Sequence, residues 1–419
     1  MARVPLPRNV RILGLASLLN DVASEMVFPL LPQFLLQTLG GNRFQLGIIE
    51  GIAESVSSLL KLASGAWSDR LRNRKGLVLV GYMMAAIARP LTALASQSAQ
   101  LFATRLTDRV GKGIRTAPRD ALISVSTEPS IRGRAFGFHR AMDHLGAAIG
   151  PLLAAAWLWY WPGQLRWLFA LTLIPGLAVV ALIAWGLQEP PADRTPETDS
   201  SSETSTDSSA ETNAVASQVS RESTEHRSSA RILPGAFWVY LTCLLLFTLG
   251  NSSDAFLLVR AGELGVPTGI LPILWCVFHL VKSSGNLLAG SLADRFGPRP
   301  LLLAGWLGYA LIYLGFAVAG GPLMVWIMFL AYGLVYALTE PAEKSLVSRL
   351  VDREHQGLAF GWFNFSLGVA AAPASLIFGW LYENYGPLVS FGWGAALALI
   401  AAVALTLTGS LFPPHQMRT

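Results

Sequence analysis

Apolar stretches of about 18 to 25 residues, each long enough to cross roughly 30 Å of hydrocarbon as a helix, recur along nearly the whole chain. They predict spans near 10–38, 44–67, 77–96, 100–124, 135–158, 165–187, 236–258, 268–292, 300–319, 322–346, 358–381 and 388–410. Between Glu189 and Arg231 the pattern stops: the text PADRTPETDSSSETSTDSSAET has no hydrophobic period and reads as a flexible tether. The expectation is an all-α membrane protein of twelve transmembrane helices in two six-helix halves. Its parts are an N-terminal bundle (1–188), a disordered linker (189–231), a C-terminal bundle (232–410) and a short tail (411–419).

Composition agrees with a lipid environment. Hydrophobic residues make up 53% and charged residues 14% of the 419, against about 25% charged in an average soluble domain, and the mean hydropathy is +0.47. Arg3, Arg8 and Arg11 lead into a span that carries Asp21 and Glu25 and has no small-residue cleavage site, so the first helix is expected to stay in the membrane. Cys243 and Cys276 fall inside predicted helices and read as buried apolar residues, not as a disulfide or metal site.

The net charge of +5 could point to nucleic acid, but the positions of the bases exclude it. Eighteen of the 31 Lys and Arg fall in the termini and the even-to-odd connections, and only Arg43, Arg166 and Arg260 fall on the opposite side. The positive-inside rule then places both termini in the cytoplasm, in a multi-pass protein expected in a bacterial inner membrane. Ten bases remain within the spans, eight of them in the first half: Lys61, Arg89, Arg105, Arg109, Lys112, Arg115, Arg119 and Arg140.

The halves match each other at an offset of about 225 residues, the trace a duplicated transporter leaves, with the substrate site expected between the repeats. GAWSDRLRNRK (65–75) answers GSLADRFGPRP (290–300), TAPRDAL (116–122) answers TEPAEKS (339–345), and GRAFGF (133–138) answers GLAFGW (357–362). The first pair contains Gly65, Asp69, Arg70, Arg74 and Lys75, repeated as Gly290, Asp294, Arg295 and Arg299, and it resembles the helix 2–3 motif of the major facilitator superfamily. PLLP (Pro29 to Pro32) and GAAIGP in helix 5 (Gly146, Gly150, Pro151) resemble the twelve-helix drug:proton antiporter branch of that family. The resemblance implies the facilitator fold, alternating access, a monomer, a small-molecule substrate, a cytoplasmic charge latch at the repeated loops and proton antiport with efflux. It implies no cofactor beyond the coupling proton. GVAAAP (Gly368 to Pro373) departs from the helix 5 pattern in the second half, and G-x-x-x-G in an apolar helix is first a packing device.

Arg105 is the positional match to a helix 4 arginine of the antiporter branch. Around it Arg105, Asp108, Lys112, Arg115 and Arg119 recur at spacings of three and four, with Arg109 alongside, and form one helical stripe. A cation at mid-membrane costs about 2.5–3.5 kcal/mol on insertion scales, so five unpaired ones would cost roughly 12 kcal/mol. The expected partners, and the candidates for proton coupling, are Asp21, Glu25, Glu50, Glu54 and Asp143. Asp21, Glu25 and Glu54 are expected to face Arg105, Arg109 and Lys112, while Arg115 and Arg119 snorkel towards the cytoplasm. A static ion-pair network and a proton-exchanging one both fit the pattern.

His139 and His144 are spaced too unevenly for a metal site; hydrogen bonding or a proton relay fits them better. In the second half Asn251, Ser253 and Asp254 echo Asn20 and Asp21, and with His279 and Lys282 they are candidates for the opposite cavity wall. Trp275, Tyr332, Tyr336 and Trp362 are candidates to line it, with packing or lipid-facing roles open. Export is the leading expectation. Uptake of an anionic solute by proton symport is the alternative, from the positive excess on helix 4. A ligand sensor lacks a structured signalling domain, and an enzyme lacks a nucleophile–base or metal-ligand set.

Overall fold

The computed structural model describes residues 5–71, 74–128, 131–189, 233–351 and 355–411. The linker beyond Glu189 lies outside the described residues. So do the tail beyond Leu411 and the side chains of Gly65, Asp69, Arg70, Gly290, Asp294 and Arg295. Every described element is helical.

In chain order the helices are α1 (Arg8–Thr38), α2 (Arg43–Leu71), α3 (Arg74–Leu94), α4 (Ser98–Val125), α5 (Arg132–Tyr160) and α6 (Leu165–Gly186) in the first half. The second half has α7 (Gly235–Glu263), α8 (Leu271–Phe296), α9 (Pro298–Val318), α10 (Pro322–Leu350) and α11 (Gln356–Leu407). Eight stretches among the described residues are long and apolar enough to span a bilayer. The others, α2, α4 and α8, have 29, 28 and 26 residues. They reach the same length but carry the charges of the candidate site.

Three local departures from a straight helix shape the molecule. In α1, Pro29 and Pro32 remove backbone donors, and the helix tightens to 3-10 geometry over Phe28–Leu30 and widens to a π turn over Phe34–Thr38. The span expected over 236–258 is not continuous: helix Gly235–Gly250 stops, residues 251–254 are non-helical, and helix Ala255–Glu263 resumes. Asn251, Ser252, Ser253 and Asp254 are weak helix formers whose side chains compete for backbone groups, and open backbone at such depth survives only where it meets protein or a polar cavity. The two predicted spans 358–381 and 388–410 join into one 52-residue run broken at Gly386. As a straight helix it would measure about 78 Å, and the left-handed φ of 79° at Gly386 turns it into two arms.

The start of α1 at Arg8 and the end of α11 at Leu407 lie at one end of the bundle, here the terminal end, and the α1–α2 turn lies at the other, the outer end. Among the described residues, the contacts between the halves gather from the outer end to half-way along the helices. Gly47 and Gly51 of α2 meet the backbone of Ser375 and Ala372 in α11, and Ser55 donates to the Gly368 carbonyl. Between α5 and α8, Leu158 lies beside Gly269, and the Cys276 thiol lies 3.5 Å from the Ala148 carbonyl. Nearer the terminal end, Leu62 faces Leu358 and Trp362 across an apolar cleft of about 400 Å³.

Candidate functional site

A cavity of about 470 Å³ lies between the halves at mid-length, lined by α1, α2, α3 and α4 on one side and by α7, α8, α10 and α11 on the other. Its first-half wall holds the charge stripe of α4, and the stripe is largely paired. Arg105 forms a two-pronged bond with Glu50, Nε to Oε1 at 2.8 Å and Nη2 to Oε2 at 2.9 Å, both residues being about 5% exposed. Arg105 also lies over the Phe28 ring. Arg89 of α3 pairs with Asp108 at 2.9 Å and donates to the carbonyl and side chain of Asn20. Arg109 pairs with Glu54 at 3.3 Å.

Arg115 and Arg119 do not snorkel. Arg115 is buried over the Tyr82 ring at 4.6 Å, and Arg119 pairs with its neighbour Asp120 at 2.9 Å. The partner of Arg105 is also Glu50 rather than Asp21, Glu25 or Glu54, because α2 packs along α4 with that turn level with Arg105.

Among the described residues, Asp21, Glu25, Lys112 and Asp254 line the cavity with no opposite charge within 4 Å. Each carboxylate is held by a neutral donor: Asn20 to Asp21 at 2.9 Å, the Trp275 indole N–H to Glu25 at 2.7 Å, and the Tyr332 hydroxyl to Asp254 at 2.7 Å. The Trp275–Glu25 bond crosses between the halves. A neutral donor supplies part of the solvation a buried carboxylate lost but brings no counter-charge, whereas the Arg105 fork gives Glu50 both.

The second-half wall is built on the break in α7. Asn251 accepts from Tyr309 at 3.2 Å, and the break exposes Ser252, Ser253 and Asp254 to the cavity. Trp275, His279 and Tyr336 add aromatic surface. A side chamber of about 270 Å³ continues from Tyr336 towards Lys282, Glu340, Glu343 and Lys344. Lys282 lies 3.9 Å above the Tyr336 ring and pairs with Glu340 at 3.3 Å, and Lys344 pairs with the same Glu340 at 3.0 Å. Tyr332 lines this chamber rather than the main cavity, and Trp362 lies outside both, packed on Trp238. Glu340 and Glu343 were visible in the sequence only as part of a repeated loop.

The helix 5 motif packs directly under the α1 carboxylates. α1 and α5 run side by side, and a Cβ added at Gly146 would stand 2.5 Å from the Leu18 carbonyl and 2.9 Å from the Asp21 Cβ. At Gly150 the same atom would stand 2.6 Å from the Val22 carbonyl and 3.0 Å from the Glu25 Cβ. One turn towards the terminal end, Asp143 accepts from Ser17 and lies 3.6 Å from both His139 and Arg140. Among the described residues no group of three or more His, Cys, Asp or Glu could hold a metal ion.

The described bases of the repeated loops cap helix ends, equivalently in both halves. Lys75 donates to the Ala184 carbonyl at the end of α6 and Arg299 to the Leu405 carbonyl at the end of α11, where a cation meets the negative pole of the helix. The backbone N–H groups of Arg74 and Lys75 donate to Glu189.

The profile of the Major Facilitator Superfamily matches residues 13–366 and 257–417. The chain is 30% identical over 408 residues to the uncharacterized MFS-type transporter MJ1317 of Methanocaldococcus jannaschii, covering 96% of this chain and 94% of that one. It is 24% identical over 390 residues to the multidrug resistance protein MdtH of Baumannia cicadellinicola, covering 90% and 86%. Among solved structures, a bacterial homolog of the human lysosomal transporter Spinster, inward-facing and occupied, superposes with a TM-score of 0.74 at 15% identity over 98% of each chain. A D-xylose-proton symporter does so with 0.71 at 16% identity over 95% and 96%. With the family profile spanning both bundles and the polar cavity lying between them, the chain belongs to the Major Facilitator Superfamily and is a membrane transporter, not an enzyme.

Proposed function

We propose that the protein is a proton-coupled exporter of small molecules that works by alternating access through the central cavity. The observation that carries this reading is Glu25: it lines the cavity, has no Lys or Arg within ion-pair distance among the described residues, and accepts the Trp275 N–H of the other half. A carboxylate so placed links proton occupancy to the contact between the halves. Asp21, one turn away, is the second proton carrier.

Counting α2, α4, α8 and both arms of α11 as crossings gives twelve, and the distribution of bases puts both termini in the cytoplasm. The cavity then stands open to the cytoplasm and shut outside. Export is supported by the seat of Gly146 and Gly150 beneath the two acids and by the relatives named multidrug resistance proteins. Anion uptake keeps only part of its motive: Arg89, Arg105, Arg109 and Arg119 are matched by acids, while Lys112 and Arg115 line the cavity with no acid within 4 Å among the described residues. Asn251, Asp254 and His279 form the substrate-facing wall opposite, with Lys282 in the side chamber beyond it.

The test is transport by the purified protein in proteoliposomes against a panel of drugs, siderophores and organic anions. Glu25→Gln and Asp21→Asn should abolish accumulation driven by a pH gradient while exchange of substrate across the membrane survives. Undiminished pH-driven transport in both variants overturns proton coupling through these acids.

A further inference from the structure

The acids on α1 continue into a line of titratable groups that leaves the cavity behind. Asp143 lies at the α1–α5 seam, bonded to Ser17, and His139, buried to 3% exposure, turns Nδ1 towards it at 3.6 Å. The other ring nitrogen of His139 is buried without a hydrogen-bond partner. Neither His139 nor Asp143 lines the central cavity, whereas Asp21 and Glu25 do. In the direction of the outer end the seam reads His139, Asp143, Asp21, Glu25, about one helical turn apart. Gly146 and Gly150 bring the two helices close enough for the groups of α5 to address those of α1.

We propose that protons leave Glu25 by this seam, through Asp21 and Asp143 to His139 on the terminal side, and so travel separately from the substrate. The inference rests on Glu25 being a proton carrier and adds the route. At each transfer one O–H bond breaks and one O–H bond, or at His139 one N–H bond, forms. The Glu25 carboxyl, protonated from the cavity, becomes a carboxylate as Asp21 gains the proton, the same exchange repeats to Asp143 and then to Nδ1 of His139, and the imidazolium so formed gives up its proton towards the terminal end.

The surroundings are charged on several sides. Asp21 faces Asp143, Glu25 and Lys112; Glu25 faces Arg105, Arg109 and Lys112 of α4 and Trp275 of α8. The His139–Asp143 pair faces Arg119 and Asp120 of α4 and Arg140 of α5. Arg89 of α3 reaches the Asn20 carbonyl beside Asp21, and α6, packed on the other side of α1, is uncharged over 168–186. A separate path fits an exporter, because a bulky substrate in the cavity then does not block the returning proton.

Trp275 supplies the readout, since its N–H bond to Glu25 changes when Glu25 gains a proton. The full-length protein in detergent is stepped in pH by rapid mixing, and the fluorescence change absent from Trp275→Phe is followed. Asp143→Asn keeps an acceptor for Ser17 but cannot relay a proton. It should reach the same end point at least about tenfold more slowly, with Asp143→Glu restoring the rate. His139→Gln should slow it likewise and serves if Asp143→Asn does not fold. An unchanged rate in both overturns the route and sends the protons through the cavity, with Glu25 still their acceptor. No Trp275-dependent change in the wild type overturns the role of Glu25 and this route together.

Discussion

Two glutamates lining one cavity illustrate how the nearest partner decides what a buried acid does. Glu50 is bonded twice to Arg105 with both groups out of water, so its amide variant leaves the buried guanidinium only Asp108, 3.7 Å away and already paired with Arg89. Breaking such a pair from one side costs about 3–5 kcal/mol. Glu50→Gln should therefore unfold at markedly lower temperature in detergent. Glu25 takes a hydrogen bond from a neutral indole, and an amide oxygen accepts it equally well. Glu25→Gln should stay within about 1 kcal/mol of the parent in stability, its defect confined to coupling. Thermal unfolding of the two variants side by side checks the contrast, and equal losses would mean that Glu25 too belongs to the fixed network.

At the scale of elements, the α1–α5 seam turns a small-residue motif into a positioning device. A methyl group on Gly150 would press on the Val22 carbonyl and the Glu25 Cβ, backbone that cannot yield without moving α1. Overpacking of this kind costs about 1–3 kcal/mol. Gly150→Ala should lower transport more than it lowers the amount of folded protein, because it displaces Glu25 from Trp275. Gly137, on the same helix with no atom within 4 Å of its built Cβ, is the control. Gly137→Ala should be neutral or slightly stabilising by about 0.5–1 kcal/mol in thermal unfolding.

Much of this level was legible in the sequence. The spacing of Arg105, Asp108, Lys112 and Arg115 fixes one face of α4, and the duplicated loops fix the pairing of halves. The choice of Glu50 for Arg105 was not, since it depends on the depth and rotation of α2 against α4, which periodicity within one helix leaves open. Trp275 as the partner of Glu25 lies 250 positions away across the halves. The break in α7 left a signal that went unused: Asn251, Ser252, Ser253 and Asp254 are four successive side chains that favour non-helical backbone.

For the whole molecule the question is what holds one access state. Of the three bases outside the terminal side, two are anchors within a half: Arg166 donates to the Ala93 and Ala95 carbonyls, and Arg260 to those of Phe316 and Ala319. Arg43 instead reaches from α2 to the other half. Its guanidinium bonds Glu263 at 2.6 and 3.0 Å and Glu383 at 3.4 Å, and lies over the Tyr382 ring, whose hydroxyl donates to Glu263 at 2.6 Å. The cluster straps the outer ends of α2, α7 and α11 together and must open before the cavity faces outward. Its side chains are about a quarter to a third exposed, so water screens it and its worth is about 1 kcal/mol, roughly a fivefold bias between states and not a lock. Arg43→Gln should keep the fold, because nothing within the first half depends on this side chain. It should raise outward-side labelling of a cysteine placed at Ser252, a cavity residue, by a factor of that order. Labelling from the terminal side should fall in step, as it must if one population is traded for the other. A variant that labels faster from both sides would point instead to general loosening of the bundle, and an unchanged pattern would leave Arg43 as a surface contact with no part in the cycle.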